Sequence, residues 1–152
     1  MNTTEPTENA INQVLTQYKD LFENLQPSGF QLEFAKVYER NIYFKDPFNE
    51  VRGISDVSRI FQHMFENLHE PQFRIHAMAG QDQTGFLEWR FYFKRKPNAP
   101  TQQINGMSKI LINQASKVIV HIDYWDSGEY VLRKVPLIGA INNWIAKKLK
   151  AN

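Results

Sequence analysis

The spacing of the apolar residues changes at Pro71, and this change limits the possible fold more than any other feature of the sequence. Before Pro71, apolar residues recur every three or four positions, as in amphipathic helices, over residues 10–25, 30–39 and 53–68. Strand-like segments rich in aromatic and β-branched residues follow it: Phe73–Ala79, Phe86–Lys94, Ile104–Gln114 and Val118–Trp125. This order predicts an α+β domain, with the helices packed on one face of a curved antiparallel sheet.

The length of the chain limits its domain organisation. A chain of 152 residues has the size of one domain, and such a domain buries roughly 70% of the surface that its unfolded chain exposes. We therefore predict a single domain over residues 10–152, preceded by a disordered tail at residues 1–9. This polar tail has neither the basic stretch nor the apolar run of a signal peptide or membrane span, which predicts a cytoplasmic protein.

Charge, cysteine content and motifs exclude several functional classes. The formal net charge is only +2, with scattered basic residues, so a nucleic-acid partner is not expected. The chain has no cysteine, which excludes thiolate nucleophiles and cysteine-based metal centres. The histidines show no metal-ligand spacing, and the sequence has no phosphate loop, dinucleotide fingerprint or nucleophile elbow. We therefore expect neither a metal nor a cofactor.

Two short segments place ionisable groups among large aromatic residues: Tyr43–Phe48 and His121–Asp126. Aromatic surroundings exclude water from a carboxylate and raise its pKa towards neutrality, which is the condition for moving protons at cellular pH. Residues two apart on a strand share a face, so we expect His121, Asp123 and Trp125 to lie together. Aromatic residues make up 13% of the chain, which suits a cavity lined with rings. The sequence therefore predicts a hydrophobic acid/base pocket.

The order of the elements also resembles a known family. Two helices, a strand ending in Phe-x-Asp-Pro at residues 44–47, Gly53, a third helix and long antiparallel strands are similar to the SnoaL-like and ketosteroid-isomerase-like branch of the nuclear transport factor two-like superfamily. The resemblance covers residues 10–126. It implies a cone-shaped α+β fold and a homodimer formed through the outer face of the sheet. The apolar residues expected on that outer face are Val120, Ile122 and Tyr124.

The same resemblance implies roles for individual residues. Asp46 occupies the position of the general base of the isomerases, and Tyr18 that of a tyrosine donating to the developing oxyanion. Ser108 stands where the isomerases carry a protonated aspartate as second donor. Asp123 resembles the acid/base aspartate of the cyclases, facing Asp46 across the cone, with His121 as its hydrogen-bond partner or its complement in proton transfer. The other residues of the predicted ligand-binding wall are Phe44, Trp89 and Trp125.

Each of these residues also has a structural interpretation, and both interpretations stay open. Aspartate before proline commonly forms a turn, a buried tyrosine is usually a core residue, and His121 with Asp123 can be a neutralising pair. Two functions follow. One is an enzyme of isomerase or cyclase type that moves protons on a small lipophilic carbonyl compound. The other is a non-catalytic ligand-binding or dimerisation module.

A further helix is predicted beyond the last strand, within residues 135–150. Trp144 and Ile145 lie on its apolar side, and lysines at its end suit the negative end of the helix dipole. Three roles for this helix are left open: a lid over the cone, an element of a dimer, or a weak contact with a membrane surface.

Overall fold

A single six-stranded sheet organises the protein. The computed structural model describes residues 5–131 and 136–149. In chain order, its elements are α1 (Glu5–Glu23), α2 (Phe30–Val37), β1 (Tyr38–Lys45), β2 (Glu50–Arg52), α3 (Ile54–Asn67), β3 (His69–Gln81), β4 (Thr84–Lys94), β5 (Gln102–Ile112), β6 (Val118–Trp125), α4 (Ser127–Tyr130) and α5 (Pro136–Leu149). The predicted α+β class is confirmed, with a curved, unclosed sheet and helices packed against it.

The strand order of the sheet is β2-β1-β6-β5-β4-β3. Neighbouring strands run antiparallel except β1 and β6, which are parallel. In this parallel pair Phe44 lies opposite His121, and Lys45 opposite Ile122. The two aromatic-rich segments of the sequence are therefore neighbours in the sheet, which places their ionisable groups in one region.

Helix α1 packs across β3 and β4 with one apolar face. Its buried residues recur at helical spacing and include Ile11, Leu15, Tyr18 and Phe22. Two strand glycines allow the close approach, because an added Cβ would lie 2.8 Å from the Ile11 side chain at Gly80 and 2.8 Å from the Leu15 side chain at Gly85. A polar contact fixes the other end of the helix, where Glu23 Oε1 accepts a hydrogen bond of 2.8 Å from the Ile75 amide.

Glycine determines where helix α3 begins. Gly53 has φ +93°, a backbone conformation that other residues rarely adopt. Its amide donates to the Ile42 carbonyl at 2.8 Å, which joins the start of α3 to β1. Ser55 lies within the helix, whereas Gly53 occupies the cap position without a side-chain hydrogen bond.

The remaining boundaries differ from the predicted ones by a few residues. Helix α2 ends at Val37, so β1 begins at Tyr38, inside the segment predicted as helical. Strand β3 begins at His69 and runs through Pro71, which the sequence predicted to separate helix from strand. Proline is tolerated there because β3 is an edge strand. Helix α1 begins at Glu5, within the predicted tail, and residues 1–4 lie outside the described residues.

The C-terminal helix α5 presents several large apolar side chains to solvent. None of the helices in residues 5–131 and 136–149 is long and apolar enough to cross a membrane. Lys148 lies over the Trp144 ring, with its Nζ 4.8 Å from the ring centre. The large exposed apolar residues of α5 are Ile141, Trp144, Ile145 and Leu149.

Candidate functional site

A buried row of hydrogen-bonding side chains crosses the interior of the protein. The Tyr18 hydroxyl donates to the Tyr38 hydroxyl at 2.8 Å. The Nδ1 atom of His121 lies 2.6 Å from the Tyr18 oxygen and 3.2 Å from the Tyr38 oxygen. On the other side of the ring, His121 Nε2 lies 2.7 Å from Asp123 Oδ1. We call the buried residues Tyr18, Tyr38 and His121 the closed end of the site.

The protonation of the two tyrosines determines the direction of these hydrogen bonds. Burial raises the pKa of Tyr18 well above its ordinary value, and the neighbouring Tyr38 and Asp123 raise it further. Burial also raises the pKa of Tyr38, although the hydrogen bond from Tyr18 lowers it. Both hydroxyls therefore stay protonated. Each has a single proton, so Tyr18 donates to Tyr38, and Tyr38 donates to His121 Nδ1. In a neutral His121 ring, Nδ1 then accepts, and Nε2 carries the proton that it donates to Asp123.

Asp123 receives a second hydrogen bond from the neighbouring strand. Ser108 lies directly opposite it in the β5–β6 register, and the Ser108 hydroxyl donates to Asp123 Oδ1 at 2.5 Å. The Trp89 indole nitrogen in turn donates to Ser108 Oγ at 2.8 Å. Two donors therefore converge on one oxygen, Oδ1. Among the described residues, none donates to the other oxygen, Oδ2, and the Asp123 side chain is 17% exposed.

The position of Trp89 depends on a glycine in the adjacent strand. Gly106 lies opposite Trp89 in the β4–β5 register. A Cβ added at Gly106 would lie 2.3 Å from two atoms of the indole ring. The indole can occupy this place, and reach Ser108, because residue 106 has no side chain.

Asp123 lines both a small inner cavity and a larger cavity. An inner cavity of about 20 Å³ touches Tyr18, His121 and Ser108, and a space of this size accommodates no more than about one water molecule. A larger cavity of about 540 Å³ opens from the other side of Asp123, which is within the usual size range of small-molecule sites. Its lining is dominated by apolar residues from α3, β1, β3, β4, β5 and β6 and from the positions just after α3 and α4: Phe44, Ile60, Phe61, Met64, Leu68, Phe73, Trp89, Phe91, Phe93, Ile104, Trp125 and Val131.

Asp46 lies in the lining of the larger cavity, but its carboxylate is held by a turn. Its Oδ1 accepts from the amides of Phe48 and Asn49, each at 2.7 Å. The Asn49 side-chain amide donates to both oxygens, at 3.1 and 2.9 Å. The turn also places the Phe48 ring edge-on against Trp125, with 5.4 Å between the ring centres. The structure thus gives Asp46 the contacts of a turn-forming aspartate at the cavity wall.

The predicted site residues lie in one region of the fold. Asp46 and Asp123 both line the 540 Å³ cavity, together with Phe44, Trp89 and Trp125. Tyr18, His121 and Ser108 lie behind Asp123, around the inner cavity. Neither Tyr18 nor Ser108 is among the lining of the larger cavity, and both direct their hydroxyls to protein partners.

The sequence interpretation missed three residues of the site. Tyr38 meets Tyr18 and His121 only through the tertiary fold, and no local signal marks it. His63 and Arg95 line the larger cavity and supply the groups of its described lining that can carry positive charge. Arg95 continues the alternation of Trp89, Phe91 and Phe93, so strand periodicity was a usable signal for it. Among the described residues, no cluster of three or more His, Asp or Glu side chains is arranged to hold a metal ion.

The sequence matches a known protein family. The model of the SnoaL-like domain matches residues 15–121, which includes α2, α3, β1 to β5, about half of α1 and the first half of β6. A comparison with curated proteins found no match.

Solved structures with the same fold cover most of the chain. A candidate SnoaL-like polyketide cyclase from Jannaschia sp. CCS1 has a TM-score of 0.69 at 11% identity, over 83% of this chain and 92% of its own. A candidate polyketide cyclase from Xanthomonas campestris pv. campestris has a TM-score of 0.68 at 12% identity, over 82% and 96%. A candidate isomerase of the SnoaL-like family from Agrobacterium tumefaciens str. C58 has a TM-score of 0.64 at 11% identity, over 78% and 98%. At these identities the likeness shows the fold.

Proposed function

The chain belongs to the SnoaL-like domain family, and from this premise we propose that it binds a small lipophilic carbonyl compound and moves a proton on it without a cofactor. The observation that carries the proposal is the position of Asp123. Its Oδ1 is held by Ser108 and His121, and the carboxylate borders an apolar cavity of about 540 Å³. A carboxylate with one fixed oxygen and one available oxygen beside an apolar cavity is suited to general base catalysis.

The proposed reaction begins with removal of a proton from the carbon next to the carbonyl group. This proton passes to Asp123 Oδ2, and the electron pair of the broken C–H bond enters the enolate. In an isomerase-type reaction, Asp123 returns the proton to another carbon of the same molecule. In a cyclase-type reaction, the enolate carbon bonds to a second carbonyl carbon, and the resulting alkoxide takes the proton.

The surrounding residues give Asp123 a fixed orientation. Ser108 is itself held by the Trp89 indole, and His121 is held by the two tyrosine hydroxyls. The proposal therefore assigns Tyr18, Ser108 and His121 to positioning. It assigns Asp46 to the turn that places Phe48 on Trp125, because both of its oxygens already accept hydrogen bonds.

The test is exchange of acidic C–H protons with D₂O, followed by NMR, on a panel of lipophilic ketones and 1,3-dicarbonyl compounds. We expect the wild-type protein to accelerate exchange, and Asp123→Asn to reduce the rate about hundredfold or more. The matched control is Asp46→Asn, whose remaining side-chain oxygen can still accept from the backbone amides of Phe48 and Asn49, so its exchange rate should stay close to that of wild type.

Two results would contradict the proposal. Loss of exchange in Asp46→Asn but not in Asp123→Asn would show that the base is Asp46 and that the proposal is wrong. Binding of the panel compounds without any exchange would remove the catalytic part and leave the ligand-binding module that the sequence also allows.

The expected homodimer stays a prediction. Tyr124 is 56% exposed and lies opposite the exposed Met107 in the β5–β6 register, so the outer face of the sheet offers apolar surface. The membrane-surface contact of α5 and the cytoplasmic location also stay predictions.

A further inference from the structure

The 540 Å³ cavity has an aromatic wall that ends in a positive charge. The side chains of Leu87, Trp89, Phe91 and Phe93 are buried along β4, whereas the residues between them are exposed or half-buried. Arg95 follows at the next position of the same alternation and lines the same cavity. Arg95 lies six positions after Trp89 and directly follows the last residue of β4, which corresponds to about 20 Å of extended chain.

This wall begins beside the proposed base. The Trp89 indole donates to Ser108, which donates to Asp123. The rings of Phe91 and Phe93 are stacked, with 5.2 Å between their centres and 25° between their planes. A ligand whose reactive carbon lies at Asp123 would therefore extend along apolar surface before it reaches Arg95. We call the part of the cavity around Phe91, Phe93 and Arg95 its open end.

Arg95 has no acidic partner in the part of the chain that the structure describes. Its neighbour Lys94 pairs with Glu70, at 2.8 Å between Nζ and Oε2, and Lys45 at the other side of the site pairs with Glu50. Arg95 has no such carboxylate within ion-pairing distance. A guanidinium at the end of an apolar wall, with its donors available, is suited to a carboxylate or phosphate group.

We propose that the ligand of this site is an elongated amphiphile, with its carbonyl group at Asp123 and an anionic group bound by Arg95. The proposal rests on the proposed function for the position of the carbonyl group. It adds a specificity determinant that acts on the remote end of the ligand and takes no part in proton transfer.

The test is binding of a fluorescent conjugated-polyene fatty acid, detected by energy transfer from the cavity tryptophans Trp89 and Trp125. Three competitors are then added separately to displace this fatty acid. They share one alkyl chain and differ in the head group, which is a carboxylate, a phosphate monoester or a primary alcohol. We expect the wild-type protein to bind both anions about fivefold more tightly than the alcohol, because an exposed ion pair is worth about 1 kcal/mol.

Matched variants test the two ends of the ligand separately. Arg95→Gln should remove the preference for anions and leave the affinity for the alcohol unchanged. Arg90→Gln, which removes the same charge from the exposed side of β4, should keep the preference. Asp123→Asn should also keep it, because this variant tests proton transfer and leaves Arg95 in place.

The outcomes distinguish this proposal from the proposed function. If the wild-type protein does not prefer the anions to the alcohol, or if Arg95→Gln retains the preference, the inference about Arg95 is wrong, whatever the exchange assay shows. If only the phosphate monoester is preferred, the anionic group is a phosphate. If anion selectivity depends on Arg95 but no C–H exchange occurs, the specificity stands and the catalytic proposal fails.

Discussion

The closed end and the open end of the site differ in how their polar groups are satisfied. At the closed end, the Tyr18 and Tyr38 hydroxyls and both His121 nitrogens lie within hydrogen-bonding distance of other protein groups. At the open end, Arg95 borders an apolar wall without an acidic partner among the described residues. Satisfied buried groups stabilise a fold, whereas an unpaired charge beside a cavity is available to a ligand. Asp123 lies between the two ends, with one oxygen held and the other available.

Exchanging His121 of the closed end and His63 of the larger cavity should give the largest difference in stability. His121→Leu introduces an apolar side chain of similar size. It removes one hydrogen-bond partner from each of Tyr38 and Asp123 and leaves the buried Tyr38 proton without an acceptor. We expect a loss of about 3 kcal/mol in the free energy of unfolding, because unsatisfied buried groups are costly. The matched variant is His63→Leu, at an exposed histidine of the larger cavity, which should change stability by less than about 0.5 kcal/mol.

Urea unfolding measures both of these histidine variants. Equal losses, or a larger loss for His63→Leu, would show that the hydrogen bonds of the closed end do not stabilise the fold. The comparison between the two ends would then fail.

Gly106→Ala tests the boundary between the two ends. The new Cβ would overlap the Trp89 ring, so the indole must move away from Ser108. We expect a loss of about 2 kcal/mol, which is typical of overpacking, together with a changed tryptophan emission spectrum. In a Trp89→Leu background the same substitution should cost much less. An equal cost in both backgrounds would show that the indole is not the neighbour that requires glycine.

Alkaline pH should reduce the contribution of the closed end to the free energy of unfolding. The folded protein raises the pKa of Tyr18 and Tyr38, so above about pH 10 the unfolded chain releases protons that the folded protein keeps. This contribution to stability is fully present below pH 10 and declines above it, by about 1.4 kcal/mol per pH unit for each tyrosine. Tyr38→Phe should make the decline less steep by about 1.4 kcal/mol per pH unit. Tyr124→Phe, at an exposed position, should leave the slope unchanged.

Absorbance of tyrosinate gives an independent measurement of the same effect. Of the six tyrosines, Tyr18 and Tyr38 should ionise only when the protein unfolds. Their ionisation in the folded protein near pH 10 would contradict the assignment of both hydroxyls as donors.

Strand alternation was sufficient to predict part of the site. It placed His121, Asp123 and Trp125 on one face, and the structure brings Asp123 and Trp125 to one cavity with His121 behind them. Alternation alone does not set the pairing of strands, which depends on turn geometry. The β5–β6 turn is fixed by Asn113 Oδ1, which accepts from the amides of Ala115 and Lys117 at 3.0 Å each. The resemblance to the family supplied Ser108 as a site residue, and the β5–β6 register identifies Asp123 as its partner.

The features of the site that the sequence did not predict depend on tertiary contacts. The carboxylate of Asp46 was open to a turn role and a pocket role, and the hydrogen bonds from Phe48 and Asn49 that favour the turn role are visible only in the structure. The contact of Tyr38 with His121 joins residues 83 positions apart, a separation at which local patterns carry no information. The class of fold was predictable because it depends on the periods of whole segments, which many residues define together.

The parallel pairing of β1 with β6 has a consequence for how the protein folds. It joins an early strand to the last one, so the chain must close a long loop before Phe44 and His121 become neighbours. The entropy of that closure is lost before the contacts across it compensate, which slows folding. Among the described elements, no hairpin or helix pair contains both Tyr18 and Asp123, so a partly folded chain has no rudimentary site. Recovery of ligand binding during refolding should therefore mark the completion of the whole sheet.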